Sequence, residues 1–241
     1  NKLIYEGKAK KIFANKNPEE VIVVFKDDAT AFNAAKKSTF KGKGELNCFI
    51  SESIFKYLIK QDIPTHYLNS DSKSSFIAQK VKIIPLEVVV RNTAYGSLCN
   101  QTNIKPGTVF KDPLLDFYYK DDELNDPLLT EDRIMLMNIV VQEELIFIKD
   151  LTFKINLILK EFFSSIQLKL VDFKIEFGRN ASGQIVLADE FSPDNCRLWD
   201  LKANNGRIES LDKDRFRNDL GDLIEAYSEI SNRIKNHISS T

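Results

Sequence analysis

The segment LVDFKIEFG, Leu170–Gly178, alternates apolar and charged residues from Val171 to Phe177. Side chains on an extended chain point to opposite faces in turn, so Val171, Phe173, Ile175 and Phe177 share one face and Asp172, Lys174 and Glu176 the other. The period of two predicts a strand. An acid, a base and an acid on one face leave two readings open. One is the solvated outer face of an antiparallel sheet. The other is a polar floor for a charged ligand and its counter-ion.

Outward from that strand, RNASG, Arg179–Gly183, is a turn, and QIVLADEF, Gln184–Phe191, is its hairpin partner. Upstream, Leu145, Ile148, Ile155, Ile158 or Leu159, Phe162 and Ile166 recur at helical spacing and predict a long helix over 142–166. LTEDRIMLM starts a short helix capped by Thr130, and residues 105–127 read as loop. The first third is β-rich, with KLIYEG, KKIFAN and EEVIVVFKDD as hairpin strands. NCFISESIFKYLIKQ follows as a helix, and SFIAQKVKIIPLEVVVRN reads as two strands around Pro85. DRFRNDLGDLIEAYSEISNRI ends the chain as an amphipathic helix interrupted near Gly221. The expected fold class is α+β, with an N-terminal β-rich lobe over 1–84 and a larger C-terminal lobe over 85–241.

The 241 residues are 43% hydrophobic and 29% charged, the composition of a globular chain. Lysine plus arginine number 34 against 35 acids, a formal charge of -1. Nothing in that balance favours nucleic acid or a membrane surface as partner, so any anion site is a local concentration of base. Three dispersed cysteines argue against a disulfide framework or zinc site, and two histidines, one of them in the turn at His66, against a histidine-based centre. No signal pattern or membrane-length apolar run occurs, and a cytoplasmic location is the expectation.

Four places carry candidate chemistry. In EGKAKKIF, Gly7 permits a tight bend with Lys8, Lys10 and Lys11 beside it, a tip suited to polyphosphate, although the spacing is not that of a P-loop. VVVRNTAYGSLCN ends a buried strand in Arg91, whose guanidinium suits carboxylate or phosphate or equally a structural acid. Glu176 and Asp189 lie close if the hairpin register allows, and two hard carboxylates suit magnesium; FSPDNCRLWD brings Asp194 and Arg197 to the same end of the sheet. KGKG, Lys41–Gly44, precedes a helix and could hold a phosphate at its N-terminus or be a surface loop. Together these features point to an anion- and magnesium-binding cleft, with a nucleotide as its ligand.

YEGKAKKIF, DDATAFN, VVVRNTAYGS, LVDFKIEFG, LADEFSPDNCRLWD and DKDRFR occur here in the order in which the SAICAR synthetase family carries them, and the chain resembles that family from about Leu3 to Ile230. The resemblance implies a two-lobed fold related to protein kinases and ATP-grasp enzymes. It implies a ligase of purine biosynthesis that joins L-aspartate to the carboxylate of carboxyaminoimidazole ribonucleotide (CAIR), giving ADP and phosphate. ATP and Mg2+ are the implied cofactors, and similarity to bacterial relatives implies a homodimer. By motif, Lys8, Ala9, Lys10 and Lys11 would cover the ATP phosphates, and main chain near Lys80 and Ile83 would meet adenine. Glu176 and Asp189 would hold magnesium, with Lys174 neutralising charge beside them. Arg91, Ser97, Asp172, Lys174 and Arg197 would contact the ribotide or aspartate. The chain departs from many relatives at Cys48, where they carry Asn, and in a longer DLKANNGRIESLDKD segment. A small-molecule kinase or a non-catalytic nucleotide sensor could use the same cleft.

Overall fold

The computed structural model describes residues 2–32, 34–202 and 208–240. The middle of the long 200–214 segment, and Asn33 of DDATAFN, lie outside them. The chain opens with β1 (Leu3–Glu6), β2 (Lys10–Ala14), β3 (Glu20–Phe25), β4 (Asp28–Ala31) and β5 (Lys36–Thr39). Helix α1 (Lys43–Lys60) is followed by β6 (Tyr67–Ser72), β7 (Ser75–Gln79), β8 (Lys82–Ile83), β9 (Leu86–Thr93), α2 (Ser97–Gln101), β10 (Val109–Tyr119) and β11 (Leu128–Leu129). Then come α3 (Glu131–Leu136), α4 (Gln142–Ser165), β12 (Leu168–Arg179), β13 (Ile185–Ala188), β14 (Cys196–Asp200), α5 (Asp214–Arg217) and α6 (Leu223–Ser240). The fold is α+β, as expected.

One antiparallel sheet has the order β1-β2-β3-β7-β6. In β3 the β-branched run alternates half-buried and buried residues, and Val21, Val23 and Phe25 turn inward. Phe25 meets Phe76 with ring centroids 5.7 Å apart, and Phe76 meets Phe55 of α1 edge-on at 5.9 Å. A second sheet runs β11-β10-β9-β12-β13, with β14 and β8 also paired to β12. Helix α4 lies across β12 and β9. Its stripe of Leu145, Ile148, Ile155, Leu159, Phe162 and Ile166 is buried as the spacing predicts, with Leu159 inside and Ile158 half-buried. Beneath it, the Asn92 and Asn156 amides exchange hydrogen bonds of 2.8 and 2.9 Å, which satisfies two buried polar groups at once.

The sequence reading needs correction in three places. Residues 105–127 are not all loop: β10 is an 11-residue strand, and Pro113, which cannot donate to a ladder, lies where the register against β9 shifts between Val109 and Leu114. SFIAQKVKIIPLEVVVRN makes three strands and not two, because Lys82–Ile83 pairs with Gly178 and Arg179. His66 lies in the bend that leads into β6, as the sequence reading has it, and is buried there, edge-on to Phe55 and Phe76. KGKG is neither phosphate site nor loop. The N–H groups of Gly42 and Gly44 donate to the Asp27 carboxylate at 3.2 and 2.9 Å, so the helix N-terminus already holds an anion.

Lys43, fully buried in that turn, pairs with Asp194 at 2.5 Å, and α1 packs on α6, so the first helix is fastened to the C-terminal part of the chain. Gly44 makes this docking possible, since a Cβ there would lie 2.7 Å from the Phe25 carbonyl oxygen. Gly44→Ala, stabilising in an ordinary helix, should here cost about 1–3 kcal/mol through overpacking. A lower urea midpoint at unchanged slope is the expected result; a raised midpoint would show that the close approach is not restrictive.

Candidate active site

Strand register builds the first cluster. Asp172 faces Arg91 across the β9 ladder and Arg197 across the β14 ladder. Arg197 reaches Asp172 at 2.9 Å and Asp214 at 2.7 Å, while Arg91 reaches Asp116 at 3.0 Å, Asp172 at 3.5 Å, and the Ser97 and Tyr118 hydroxyls at 3.2 Å each. Gly96, at φ +63°, caps α2 where a Cβ would lie 2.6 Å from the Arg197 guanidinium. Only the missing side chain lets the loop close on that cation. Burial pushes the Asp172 carboxyl up against the pull of both arginines, and the two guanidiniums stay fully charged. The expected substrate residues Arg91, Ser97, Asp172 and Arg197 are thus together.

Further along the same face of β12 is a cavity of about 1210 Å³. Gly7, Lys8, Ala9 and Lys10 from the β1–β2 turn line one side, and the Gly7 N–H closes that turn on the Lys10 carbonyl at 2.8 Å. Lys80, Val81 and Ile83 line the connection between the sheets, and Lys174, Glu176 and Asp189 the opposite wall. Lys11 does not face this space; it lies 3.5 Å from Glu6 and is absent from the lining.

The hairpin register opposes Glu176 to Ala188, which sets Asp189 diagonally beside Glu176. Asp189 has a φ of 61°, a left-handed conformation that aspartate tolerates, and it turns out of the strand toward Lys10 at 2.7 Å. Lys10 also pairs with Glu190. Glu176 meets Lys120 at 2.5 Å and Lys174 meets Glu87 at 2.6 Å. Burial would raise Asp189, but Lys10, Lys120 and Lys174 hold its carboxyl well below the usual range. Burial and the charge of Asp189 together push Glu176 up, against Lys120 and Lys174. One wall therefore carries two hard oxygen donors with lysines as resident counter-ions, a fit for a divalent cation that also takes phosphate oxygens. Among the described residues no group of three or more His, Cys, Asp and Glu side chains could hold a metal by itself.

Several members of this site were not legible. Lys120 sits at the end of a strand read as loop, and Glu87 on a strand noted only for its valines. Glu190 directly follows Asp189 and was visible as a second acid in LADEF, a signal passed over. Cys48 is fully buried in α1, its thiol pushed up to about 12 by burial.

Comparison with known proteins settles the family. The SAICAR synthetase family model matches residues 3–234. The phosphoribosylaminoimidazole-succinocarboxamide synthase of Prochlorococcus marinus subsp. pastoris is 69% identical over 237 residues, covering 98% of each chain. The crystal structure of the synthase from Ehrlichia chaffeensis superposes with a TM-score of 0.93 at 46% identity, over 97% of this chain and 98% of that one. A SAICAR synthetase solved in complex with ADP gives 0.92 at 44%, over 98% of each. The chain belongs to the SAICAR synthetase family. It is accordingly an enzyme, a ligase of purine biosynthesis. No helix among the described residues is long and apolar enough to cross a membrane.

His66 also borders the cavity of this SAICAR synthetase family member. Burial lowers its imidazole to about 4, outweighing the charge and carbonyl of Asp189. The sign follows: the unfolded ring takes a proton near pH 6.5 and the folded ring only near 4, so its contribution is complete above pH 6.5 and fades as pH falls toward 4. Relative to His66→Gln, the native chain should lose about 2–3 kcal/mol between pH 7.5 and 4.5. Urea titrations of both proteins at the two pH values check this, and a constant difference would contradict it.

Proposed function

We propose that this chain binds ATP in the cavity and the ribotide at the arginine cluster, and joins L-aspartate to the carboxylate of CAIR with release of ADP and phosphate. The observation that carries the reading is the common face of β12. Asp172, Lys174 and Glu176 step along it, so the anion-holding arginines and the acid pair stand at opposite ends of a path of about 13 Å. That span suits a ribotide whose phosphate lies at Arg91, Ser97 and Arg197 and whose carboxylate points toward the ATP phosphates.

Main chain between Lys80 and Ile83 offers hydrogen-bonding edges to adenine, and the Gly7–Lys10 tip covers the phosphates. These contacts, with β1–β3 and β6–β7 on one side and β9–β14 on the other, support two lobes that meet near residues 84 and 85. Glu176 and Asp189 would hold magnesium, whose charge would neutralise the phosphate oxygens. Its arrival would free Lys10 and Lys120 from their acids. A carboxylate and an amine do not condense unaided in neutral water. Transfer of the γ-phosphoryl group to a CAIR carboxylate oxygen gives an acyl phosphate and ADP. The aspartate amine then attacks the acyl carbon, and phosphate leaves. Positioning and charge neutralisation carry such a transfer, and no protein nucleophile is needed. Lys174 stands where negative charge develops, held by Glu87 at 2.6 Å.

Incubation with ATP, magnesium, CAIR and L-aspartate, each omitted in turn, tests the reading. ADP and amide should form in equal amounts only when all are present, and label in the CAIR carboxylate should appear in phosphate. A stable phosphorylated ribotide would favour a small-molecule kinase; ATP binding without turnover would favour a sensor. Glu176→Gln and Asp189→Asn should each abolish magnesium-dependent turnover while the chain stays folded, because the swap keeps shape and removes the charge a hard cation requires. Normal activity of both variants at low magnesium would return LVDFKIEFG to a structural face. Arg91→Ala should raise the KM for CAIR, with a loss on the order of 2–5 kcal/mol in kcat/KM, and leave ATP affinity in place.

A further inference from the structure

The cavity wall contains lysines in two different situations. Lys8, Lys10, Lys26, Lys120 and Lys174 each have a carboxylate partner. Among the described residues, Lys37, Lys80 and Lys213 line the cavity without an ion-pair partner, and Lys37 and Lys80 are exposed to water. Lys213 is half-buried, and its neighbours are spoken for. Both oxygens of Asp194 are taken, one by Lys43 at 2.5 Å and the other by the Tyr227 hydroxyl at 2.7 Å. Asp214 is held between Arg197 and Arg217 at 2.7 and 2.8 Å.

The backbone on either side of Lys213 is fixed. Fully buried Asp212 accepts hydrogen bonds from the N–H groups of Leu198 and Asp214, both at 2.8 Å, and the Lys213 N–H donates to the Pro193 carbonyl at 3.0 Å. Lys213 therefore stands at a set place between the two charged groups of the site. Asp214, next in sequence, holds Arg197 of the ribotide cluster, while Asp194 and Asn195 line the cavity with Glu176 and Asp189.

We infer that Lys213 binds a carboxylate of the amino-acid substrate. The inference rests on the ligase reading above. In that reading the polyphosphate has Lys8, Lys10 and the acid pair, and the ribotide phosphate has Arg91, Ser97 and Arg197. The carboxylates of the incoming amino dicarboxylic acid are the anions left without a cation, and Lys213 is the sheltered cation left without an anion. An ammonium on a fixed backbone suits a single carboxylate oxygen as a point charge.

Burial lowers the Lys213 ammonium to about 8, with Arg217 and Lys43 acting in the same direction and Asp194 and Glu190 against it. A lysine that loses its charge as pH passes 8 should weaken amino-acid binding over the same range.

Steady-state kinetics on the whole chain test the assignment. Lys213→Met should raise the KM for L-aspartate on the order of 10- to 100-fold, the loss expected for a charged hydrogen bond. The KM values for ATP and CAIR should stay within about twofold, since neither ligand reaches this cation. Lys213→Arg should recover most of the loss. The native KM for L-aspartate should climb above pH 8, and that of Lys213→Arg should not, because guanidinium stays protonated. An unchanged KM in Lys213→Met, or a fall in kcat alone in both variants, would overturn the assignment. A native chain that turns over normally beside an unaffected Lys213→Met overturns this inference only; a native chain that forms no amide from L-aspartate overturns the ligase reading and this one with it.

Discussion

Strand β12 is paired with β9, β14, β13 and β8 along its twelve residues and covered by α4, and that enclosure denies water to nearly all of its side chains. A charge in such a place costs several kcal/mol unless a partner answers it. The rest of the site can be understood as the set of answers. Register puts an arginine on each side of Asp172. Lys120 and Lys174 lie near Glu176, and Lys10 crosses from the other sheet to Asp189 and Glu190. Each partner is itself tied to a different element, so the charges of one strand organise the strands around it.

These pairings differ in what they can release. Asp172 with its two arginines, and Lys43 with Asp194, have little exposure and multiple partners. Removing one member there would strand a buried charge, which makes them framework as much as chemistry. Lys120 holds a single carboxylate at the cavity wall, Lys10 bridges Asp189 and Glu190 there, and Lys8 and Asp122 meet at 2.9 Å in the open. An exposed pair of that kind contributes little to stability. The site is thus rigid where the ribotide would be held and adjustable where phosphates and a cation would enter.

The sequence made the central strand, its hairpin partner, the helical stripes and the interruption at Gly221 legible because each rests on a local period or a single turn residue. Period two in Val171–Phe177 fixed a face, and that face did prove to connect the two charged clusters. What stayed hidden depends on long-range pairing. Nothing local tells a strand with a proline at its register shift from a loop, so β10 and the Lys120 at its end were missed. His66 reads locally as no more than a turn residue after a proline, because its two aromatic neighbours, Phe55 of α1 and Phe76 of β7, come from elsewhere in the chain. KGKG looked like an anion site, and so it is, but for Asp27 of the same chain. Glycine there serves close contact and not ligand binding.

Lys213 carries the same lesson a step further. By sequence it is one lysine of a charged run, DKDRFR, whose ordinary reading is a solvated surface. The fold distributes that run unequally: Asp212 goes to two backbone amides, Asp214 to two arginines, and Lys213 is left facing the cavity. Alternate residues are spent on structure so that the one between them is held in place with its charge unanswered. An unpaired, sheltered cation is costly to a folded chain on its own account. Its retention at the meeting point of two charged clusters makes physical sense if the missing partner arrives with substrate, because the same desolvation that disfavours the empty site strengthens the ion pair once the carboxylate is bound.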